Sequence, residues 1–431
     1  AAGFVPHKAN TPGQEALLSV RQDPAFGPCV VIGVGGTLTE WFGGLGRSTV
    51  ILPARGLEEG DIEKALTAHP ALKILVAPSR LYPEPPVSMG NMVATVTALA
   101  RLAVLAAADG DFGVTLEELE INPAVASGGR LTALDGVGLV SSRRWAGTNR
   151  SLERISPLLQ PESAVVMGVS AKGPNPGRII LDNLRRSKGV AKDRLYVVHH
   201  EAEDIDGVPC VRSVADLPEK VDLAVVSIPA EGALAAITDL VGEDRSESII
   251  LIPGGFAEAG ATDLAGRIED VLAAGHARAG GGPVMVGGNC LGIVSRDNYN
   301  TFFLPEYKLP FTPGLGENLA VVSQSGAYLV TFASNYDGVI QPAASISFGN
   351  QMDLTAGDFL EHFTDRAGID VIAVYVEGFR PGDGAKFLAQ ARRARAAGKR
   401  VIVFKAGKTA LGAKAAASHT ASLAGDYALA R

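Results

Sequence analysis

Cysteine is nearly missing from this chain. Only Cys29, Cys210 and Cys290 occur in 431 residues. They stand far apart with no CxxC spacing, which argues against a disulfide framework or a zinc site and for a reducing cytoplasm. No run of about 18 apolar residues occurs, so no membrane span is expected. The opening AAGFVPHKAN lacks a charged segment followed by an apolar one, and no signal peptide is expected. A basic surplus is lacking too. With 39 Lys and Arg against 46 Asp and Glu the net charge is −7, and the sequence pI is near 5.6. That balance argues against non-specific nucleic-acid binding. Glycine is plentiful, at 51 residues, with 25 prolines. Loops with many sharp turns are expected, as where backbone approaches a ligand closely.

The length exceeds one hydrophobic core and implies two to four domains. Short apolar runs rich in β-branched residues alternate with helical patterns: SAVVMGVSA before RIILDNLRRS, then RLYVVHH, VDLAVVSIPA and SIILIPGGF, and later LAVVSQSGA, VIAVYVEGF and RVIVFKAGK. Continuous apolar strands with helical crossovers read as parallel sheets buried on both faces. Two doubly wound α/β domains are expected, at roughly 155–293 and 316–431. The first 145 residues read as α+β. NMVATVTALARLAVLAAADG is one long apolar helix. LEELEINPAVASGGR and LTALDGVGLVSS read as two strands joined at a Gly-Gly turn. Linkers are expected near RRWAGTNRSLERISP and YKLPFTPGLGEN.

Ligands of doubly wound sheets bind at the carboxyl ends of the strands, and several ends carry notable residues. GVSAKGPNPG holds Gly168, Ser170, Lys172, Gly173 and Gly177 before a helix. Such a turn offers backbone N–H groups and a helix dipole to phosphate, or it serves tight strand–helix packing. Its spacing is not GxGxxG, and no clear acidic residue ends the next strand, where VVHHEAED stands. Both features count against a dehydrogenase. VVSQSGAYLV places Ser323, Gln324, Ser325 and Gly326 between a strand and a helix. That suits an anion pocket, or plain N-capping by serine. Glu377 ends the strand VIAVYVEGF, either solvated or accepting the N–H of a histidine. Asn122 and Asp135 fall on neighbouring strands. Two hard oxygen ligands suit Mg2+, although Asn-Pro and Asp-Gly are also ordinary turn signals. Glu118 and Glu120 add negative charge nearby. In AAASHTASLAG a lone His419 stands among small residues that leave its ring accessible.

Taken in order, DPAFGP…GVGGTLTE, ELEINP…LD, GGFAEAG, GGNCLG, SQSGA and KAGKTALGAKAAASHTASLAG resemble the NDP-forming acyl-CoA synthetases, the superfamily of ADP-forming acetyl-CoA synthetase and succinyl-CoA synthetase. The resemblance spans nearly the whole chain. It implies part of an α+β ATP-grasp domain at 1–145, a Rossmann-like CoA-binding domain at 146–293 and a flavodoxin-like ligase domain at 294–431. The implied activity joins a carboxylic acid to CoA with ATP as cosubstrate, through a phosphohistidine and an acyl phosphate. His419 matches the phosphorylated histidine and Glu377 its carboxylate partner. Ser323, Ser325 and Gly326 match the phosphate loop. Gly168, Ser170, Lys172, Gly177 and Asn289 match the CoA side, Asn122 and Asp135 the Mg2+ ligands, and Glu40 belongs to the glycine turn GVGGTLTE. A homo-oligomer with small-molecule partners, and with neither nucleic acid nor membrane, is expected.

Departures stand out. Ala421 replaces a glycine of the family's SHTGSLAG. Gly288 replaces the proline of GPNCLG and loses its fixed φ. His199 and His200 stand where relatives often carry Pro and Lys. No adenine-binding strand or phosphate lysine precedes residue 1, so a longer chain or a second subunit is expected. A non-catalytic CoA- or nucleotide-sensing module, as in an acetyltransferase fusion, is the alternative reading. The identity of the acid and the choice of ATP or GTP have no signature in the sequence.

Overall fold

The computed structural model describes residues 13–36, 39, 49–144, 149–305, 309, 316–407 and 409. The chain divides near residue 147 into two compact units.

The first unit is built on antiparallel strands β1 (Glu15–Asp23), β2 (Gly27–Val34) and β3 (Thr49–Pro53). Helices α1 (Glu59–Ala68), α2 (Lys73–Val76) and α3 (Met89–Leu105) follow. The sheet is completed by β4 (Thr115–Ser127), β5 (Arg130–Ala133) and β6 (Gly136–Ser141), in the order β3-β2-β1-β4-β5 with β6 also on β4. Helix α3 forms where the long apolar pattern predicts it. Ser88 caps it by accepting the Asn91 N–H at 3.2 Å. Met92, Val93, Val96, Leu99, Ala100 and Ala103 lie on its buried face, at the spacing of one helical stripe. They pack on Val20, Val30 and Ile32 of the sheet.

The expected hairpin differs in one respect. LTALDGVGLVSS is two strands, not one. β5 pairs with the end of β4 (Ala124↔Ala133), and β6 with its beginning (Ile121↔Gly136). The break falls at Leu134–Asp135, where Asp135 Oδ1 accepts the following Gly136 N–H at 2.8 Å. This is the local side-chain bonding that makes Asp-Gly a turn. CVVIGVG forms β2, which pairs antiparallel with both neighbours and is no part of a parallel sheet.

The second unit opens with α4 (Ile155–Leu159), followed by seven strands: β7 (Ala164–Met167), β8 (Leu195–Val198), β9 (Asp204–Ile205), β10 (Val208–Val211), β11 (Val221–Val226), β12 (Ser246–Leu251) and β13 (Val284–Gly287). Their order is β13-β12-β11-β7-β8-β10-β9, parallel except for the β9–β10 hairpin. Crossover helices are α5 (Pro176–Arg186), α6 (Ala230–Gly242) and α7 (Thr262–His276). Val165, Val225, Ile249 and Met285 are fully buried, as expected of strands covered on both faces.

A second sheet follows in the same unit, of β14 (Ile293–Ser295), β15 (Tyr299–Asn300), β16 (Glu317–Ser323), β17 (Pro342–Ser347), β18 (Val371–Val376) and β19 (Arg400–Lys405). Its order is β15-β14-β17-β16-β18-β19. Helices α8 (Gly326–Asn335), α9 (Ala356–Asp365) and α10 (Asp383–Ala396) complete it. The sheet is mixed, because β14 runs antiparallel to β17. It therefore begins at Ile293, before the stretch that reads as its first strand.

A buried charge cluster joins the two sheets' domains. Arg150 reaches Asp353 (3.2 Å), Asp358 (3.2 Å) and Asp383 (3.1 Å). Asp353 also meets His276 Nε2 at 3.0 Å and accepts the Met285 N–H at 2.7 Å. Burial opposes the charge of Arg150, but the three carboxylates together hold its pKa above the ordinary value. Burial pushes the Asp383 carboxyl up. The linker, the end of α7, a loop and the first turns of α9 and α10 thus share one ion network.

Candidate active site

Two sheets in one unit bring their carboxyl ends to a single cavity of about 660 Å³. Three helices begin there. Asn175 caps α5 by accepting the Arg178 N–H at 2.9 Å, and both Asn175 and Pro176 line the cavity. Pro229 precedes α6. Ser325 caps α8 by accepting the Tyr328 N–H at 3.2 Å. The first N–H groups of a helix have no intrahelical partner, and each helix start carries about half a positive charge. The described lining residues are otherwise neutral, with Ser227, Asn289 and Gln324 adding polar side chains. Such a space suits an anionic group attached to an apolar or neutral chain.

The CoA-side turn is explained mainly by packing. Gly168 has φ +87°, and a Cβ there would stand 2.2 Å from the Ser227 carbonyl. A Cβ on Gly177 would stand 2.5 Å from the Gly168 carbonyl. Both glycines let α5 close on the end of β7. Ser170 Oγ accepts the N–H groups of Lys172 (3.3 Å) and Gly173 (3.2 Å), so it shapes the turn. Lys172 is exposed. None of these four lines the cavity, whereas Asn175, which the sequence reading passed over, does. Gly168→Ala is expected to destabilise the protein by roughly 1–3 kcal/mol, through a strained backbone and a displaced Ser227. Denaturant unfolding checks this, and unchanged stability would contradict the packing described.

Asn289 lines the cavity with φ +55°. Gly288 has a local reason to be glycine. A Cβ there would come within 2.6 Å of the Phe256 ring, and Phe256 is fully buried. The segment 347–353, SFGNQMD, ties this loop to the ligase side, and the sequence reading missed it. Asn350 N–H donates to Gly288 O (2.9 Å) and Met352 N–H to Gly287 O (3.1 Å). Ser347 Oγ accepts the Leu291 N–H at 3.0 Å. Asn350 Nδ2 donates to Glu258 of GGFAEAG at 2.6 Å. The signal available was a loop dense in Asn, Gln and Asp directly after an apolar strand.

His199 and His200 stack on each other, with ring centroids 5.1 Å apart. His199 Nδ1 accepts the N–H groups of Glu201 and Ala202, at 3.1 and 3.0 Å. His199 therefore shapes a turn after β8.

On the ligase side, Ser323 is fully buried and donates its hydroxyl to Ser325 O at 2.8 Å. It fixes the loop and does not line the cavity, whereas Ser325 and Gly326 do. Glu377 is 4% exposed, which removes the solvated alternative. Its N–H donates to Gln324 Oε1 at 2.8 Å. Its Oε1 lies 3.4 Å from the Tyr375 hydroxyl. Burial, then the Glu377 charge, pushes Tyr375 up to about 12. Lys405 donates to the Glu377 carbonyl at 2.7 Å, and burial lowers its pKa. His419 and Glu40 lie outside the described residues.

In the first unit Asn122 and Asp135 are neighbours. Asn122 N–H donates to Asp135 O at 3.2 Å. Asn122 Oδ1 accepts the Gly36 N–H at 3.0 Å, which ties it to the glycine turn after β2. Asp135 is exposed. Among the described residues no group of three or more His, Cys, Asp or Glu could hold a metal. Asn122 and Asp135 would offer Mg2+ two oxygens, a fit for an ion that keeps waters and phosphate oxygens.

Three family models match consecutive parts of the chain: an ATP-grasp domain over 2–137, a CoA binding domain over 162–296, and a succinyl-CoA ligase like flavodoxin domain over 316–431. These three domains together resemble the NDP-forming acyl-CoA synthetases. Among members of this superfamily, an ADP-forming acetate–CoA ligase I of Archaeoglobus fulgidus is 36% identical over 63% of this chain and 37% of its own length. A second from that organism, ligase II, is 25% identical over 96% of this chain and 57% of its own length. The chain thus spans about half or less of these synthetases' length. A dinucleotide-forming acetyl-coenzyme A synthetase 1 of Ca. Korarchaeum cryptofilum, solved with phosphate and ADP, superimposes with a TM-score of 0.56 at 32% identity. That match covers 64% of this chain and 56% of the other. Among the described residues, no helix is long and apolar enough to cross a membrane.

Proposed function

We propose that this chain carries the CoA-binding and phosphohistidine parts of an acid–CoA ligase that forms ADP. The observation that carries the reading is the cavity where α5, α6 and α8 begin, with no charged side chain among its described lining residues, and the buried Glu377 held next to Gln324. The relatives named for ADP-forming acetate–CoA ligation support it.

His419 takes the γ-phosphoryl group of ATP on a ring nitrogen and releases ADP. A carboxylate oxygen of the acid then attacks that phosphorus, so the P–N bond breaks and an acyl phosphate forms. The thiol of CoA attacks the acyl carbon. A C–S bond forms, the C–O bond to phosphate breaks, and the thiol proton leaves with the phosphate. The first turn of α8, from Ser325 and Gly326, holds the phosphoryl oxygens. Glu377 accepts the histidine N–H and sets which nitrogen reacts. Asn122 and Asp135 would hold Mg2+, which offsets charge on the nucleotide phosphates. A homo-oligomer in the cytoplasm remains the proposed setting, consistent with three cysteines that form no disulfide.

Asp135→Ala is expected to lower ATP-dependent turnover by about tenfold or more and to raise the Mg2+ concentration needed for half activity, since one of two hard ligands is lost. A magnesium titration of wild type and variant checks it. Unchanged turnover and Mg2+ dependence would remove Asp135 from the metal site.

Calorimetric titration with CoA and NAD tests the cavity assignment. Binding of CoA without NAD is expected, because the β7–α5 turn lacks the dinucleotide spacing. Binding of NAD without CoA would sink the reading.

A further inference from the structure

Glu377 and Gly378 directly follow β18, and two glutamines, each 2% exposed, hold them. Gln324 Oε1 accepts both backbone N–H groups, at 2.8 and 3.3 Å. Gln351 Nε2 donates to the Gly378 carbonyl at 3.0 Å. A carbonyl accepts only from the nitrogen end of an amide, so this bond also fixes which way the Gln351 amide faces. Gln351 itself has an unusual backbone. Its φ is +56°, in the left-handed region that a residue with a side chain seldom occupies. Such a conformation persists only where the surroundings enforce it. Here Arg380 Nη1 donates to the Gln351 carbonyl at 3.0 Å. Arg380 forks onto both carboxylate oxygens of Glu269 in α7, at 2.6 and 2.7 Å. On either side of Gln351, the Asn350 and Met352 N–H groups donate to the carbonyls of Gly288 and Gly287. The Gln351 backbone is thus anchored to the CoA-side domain, while its amide reaches the Glu377 loop.

We propose that Gln351 is a positioning residue for Glu377, with Arg380 and Glu269 as its anchor. The proposal rests on the acid–CoA ligase reading above, in which Glu377 accepts the N–H of His419. Gly378 has no side chain to pack, so its backbone bonds carry the restraint. Without the Gln351 donor the buried Gly378 carbonyl must turn to find another, and Glu377 turns with it. The carboxylate then presents the imidazole off line, and a displacement of about 1 Å at a reacting group can cost about 10²-fold in rate. The thioester step uses neither His419 nor Glu377. The loss therefore falls on phosphoryl transfer alone, and thioester formation reports whether the rest of the site is intact.

The test runs two half-reactions on the full chain with acetyl, isobutyryl and phenylacetyl phosphate labelled at phosphorus. Without CoA, an unprotonated ring nitrogen of His419 attacks phosphorus, the P–O bond to the acyl group breaks, and the free carboxylate leaves. Label on His419 is measured. With CoA, thioester is measured. Gln351→Met keeps the length and the unbranched stem of the side chain but removes the donor. Its rate of His419 labelling is expected to fall by about tenfold or more, while thioester formation changes by less than about twofold. Arg380→Lys keeps the charge but not the fork onto Glu269, and is expected to slow labelling by about threefold with the same selectivity. Equal losses in both half-reactions would mark a general structural role and overturn the proposal. A wild-type labelling rate in Gln351→Met would overturn it too. Should Gln351→Met fail to fold, Arg380→Lys decides alone: wild-type labelling there, or a loss shared with thioester formation, overturns the proposal. A wild-type chain that takes no label on His419 from any acyl phosphate would instead overturn the ligase reading.

Discussion

Replacing His419 with alanine is expected to abolish acyl-CoA formation from acid, CoA and ATP while CoA binding survives. The stretch AAASHTASLAG is made mostly of small residues, so loss of the imidazole should change stability by less than about 1 kcal/mol. The chemistry has no substitute. Ser418 and Thr420 flank the position, but no base adjoins them in sequence to activate a hydroxyl. A covalent relay is removed entirely, so the loss should exceed the roughly 10²–10⁴-fold typical of a single acid–base group. Incubation with γ-labelled ATP and Mg2+ should give an acid-labile, base-stable phosphoryl adduct in wild type alone. An adduct of equal yield in the variant would place the phosphate on another residue. The acyl phosphate and CoA half-reaction should survive the same substitution, which separates the relay from the thioester step.

The second large effect concerns the fold. Arg150→Met should destabilise the second unit by about 3–5 kcal/mol, because removing one partner of a buried ion network strands the others. Arg150 is the shared cation of Asp353, Asp358 and Asp383, whose side chains are 5%, 0% and 9% exposed. Asp358 would keep Lys386 at 2.6 Å and Asp353 would keep His276, but Asp383 would lose its ion-pair partner in the cluster. A fall in melting temperature on the order of 10 °C is expected for a domain of this size. The pH dependence has a definite sign. Burial already raises the Asp383 carboxyl, and loss of Arg150 raises it further. A carboxyl with a raised folded-state pKa is less unfavourable when protonated, so the variant's deficit should shrink as pH falls below neutrality. Adding Asp383→Asn should recover part of the loss at neutral pH. Melting curves across pH check both statements, and a variant as stable as wild type would show that the cluster is solvated in solution.

The parallel strands were legible because apolar β-branched runs have few readings once they are bounded by glycine turns. SAVVMGVSA, VDLAVVSIPA and VIAVYVEGF each became a strand of a doubly wound sheet. The antiparallel pieces were harder. Ile293–Ser295 is too short to announce itself, and its direction is decided by pairing with β17, which no local pattern encodes. The split of β5 from β6 was written in Asp-Gly, yet a continuous apolar alternation masked it. At the site, the sequence offers candidate residues but not the contacts they make. Ser323 looks like a phosphate donor in sequence, but its hydroxyl is taken by the Ser325 carbonyl. Asn350 carries no motif, because its importance lies in a contact across two domains, to Glu258, and Gln351 Nε2 donates within its own domain to Gly378 O at 3.0 Å. Arg150 was invisible for the same reason, since its three partners lie more than two hundred positions away.

The most direct test of the account is to run the ligase half backwards on the unmodified chain. Acyl-CoA and labelled inorganic phosphate are added without nucleotide, and the tryptic peptide spanning 415–431 is read by mass spectrometry under basic conditions. The account predicts one phosphoryl group on that peptide, located on His419 and discharged when CoA and the free acid are added. Phosphate on any other residue, or none with any of acetyl-, isobutyryl- and phenylacetyl-CoA, would contradict it.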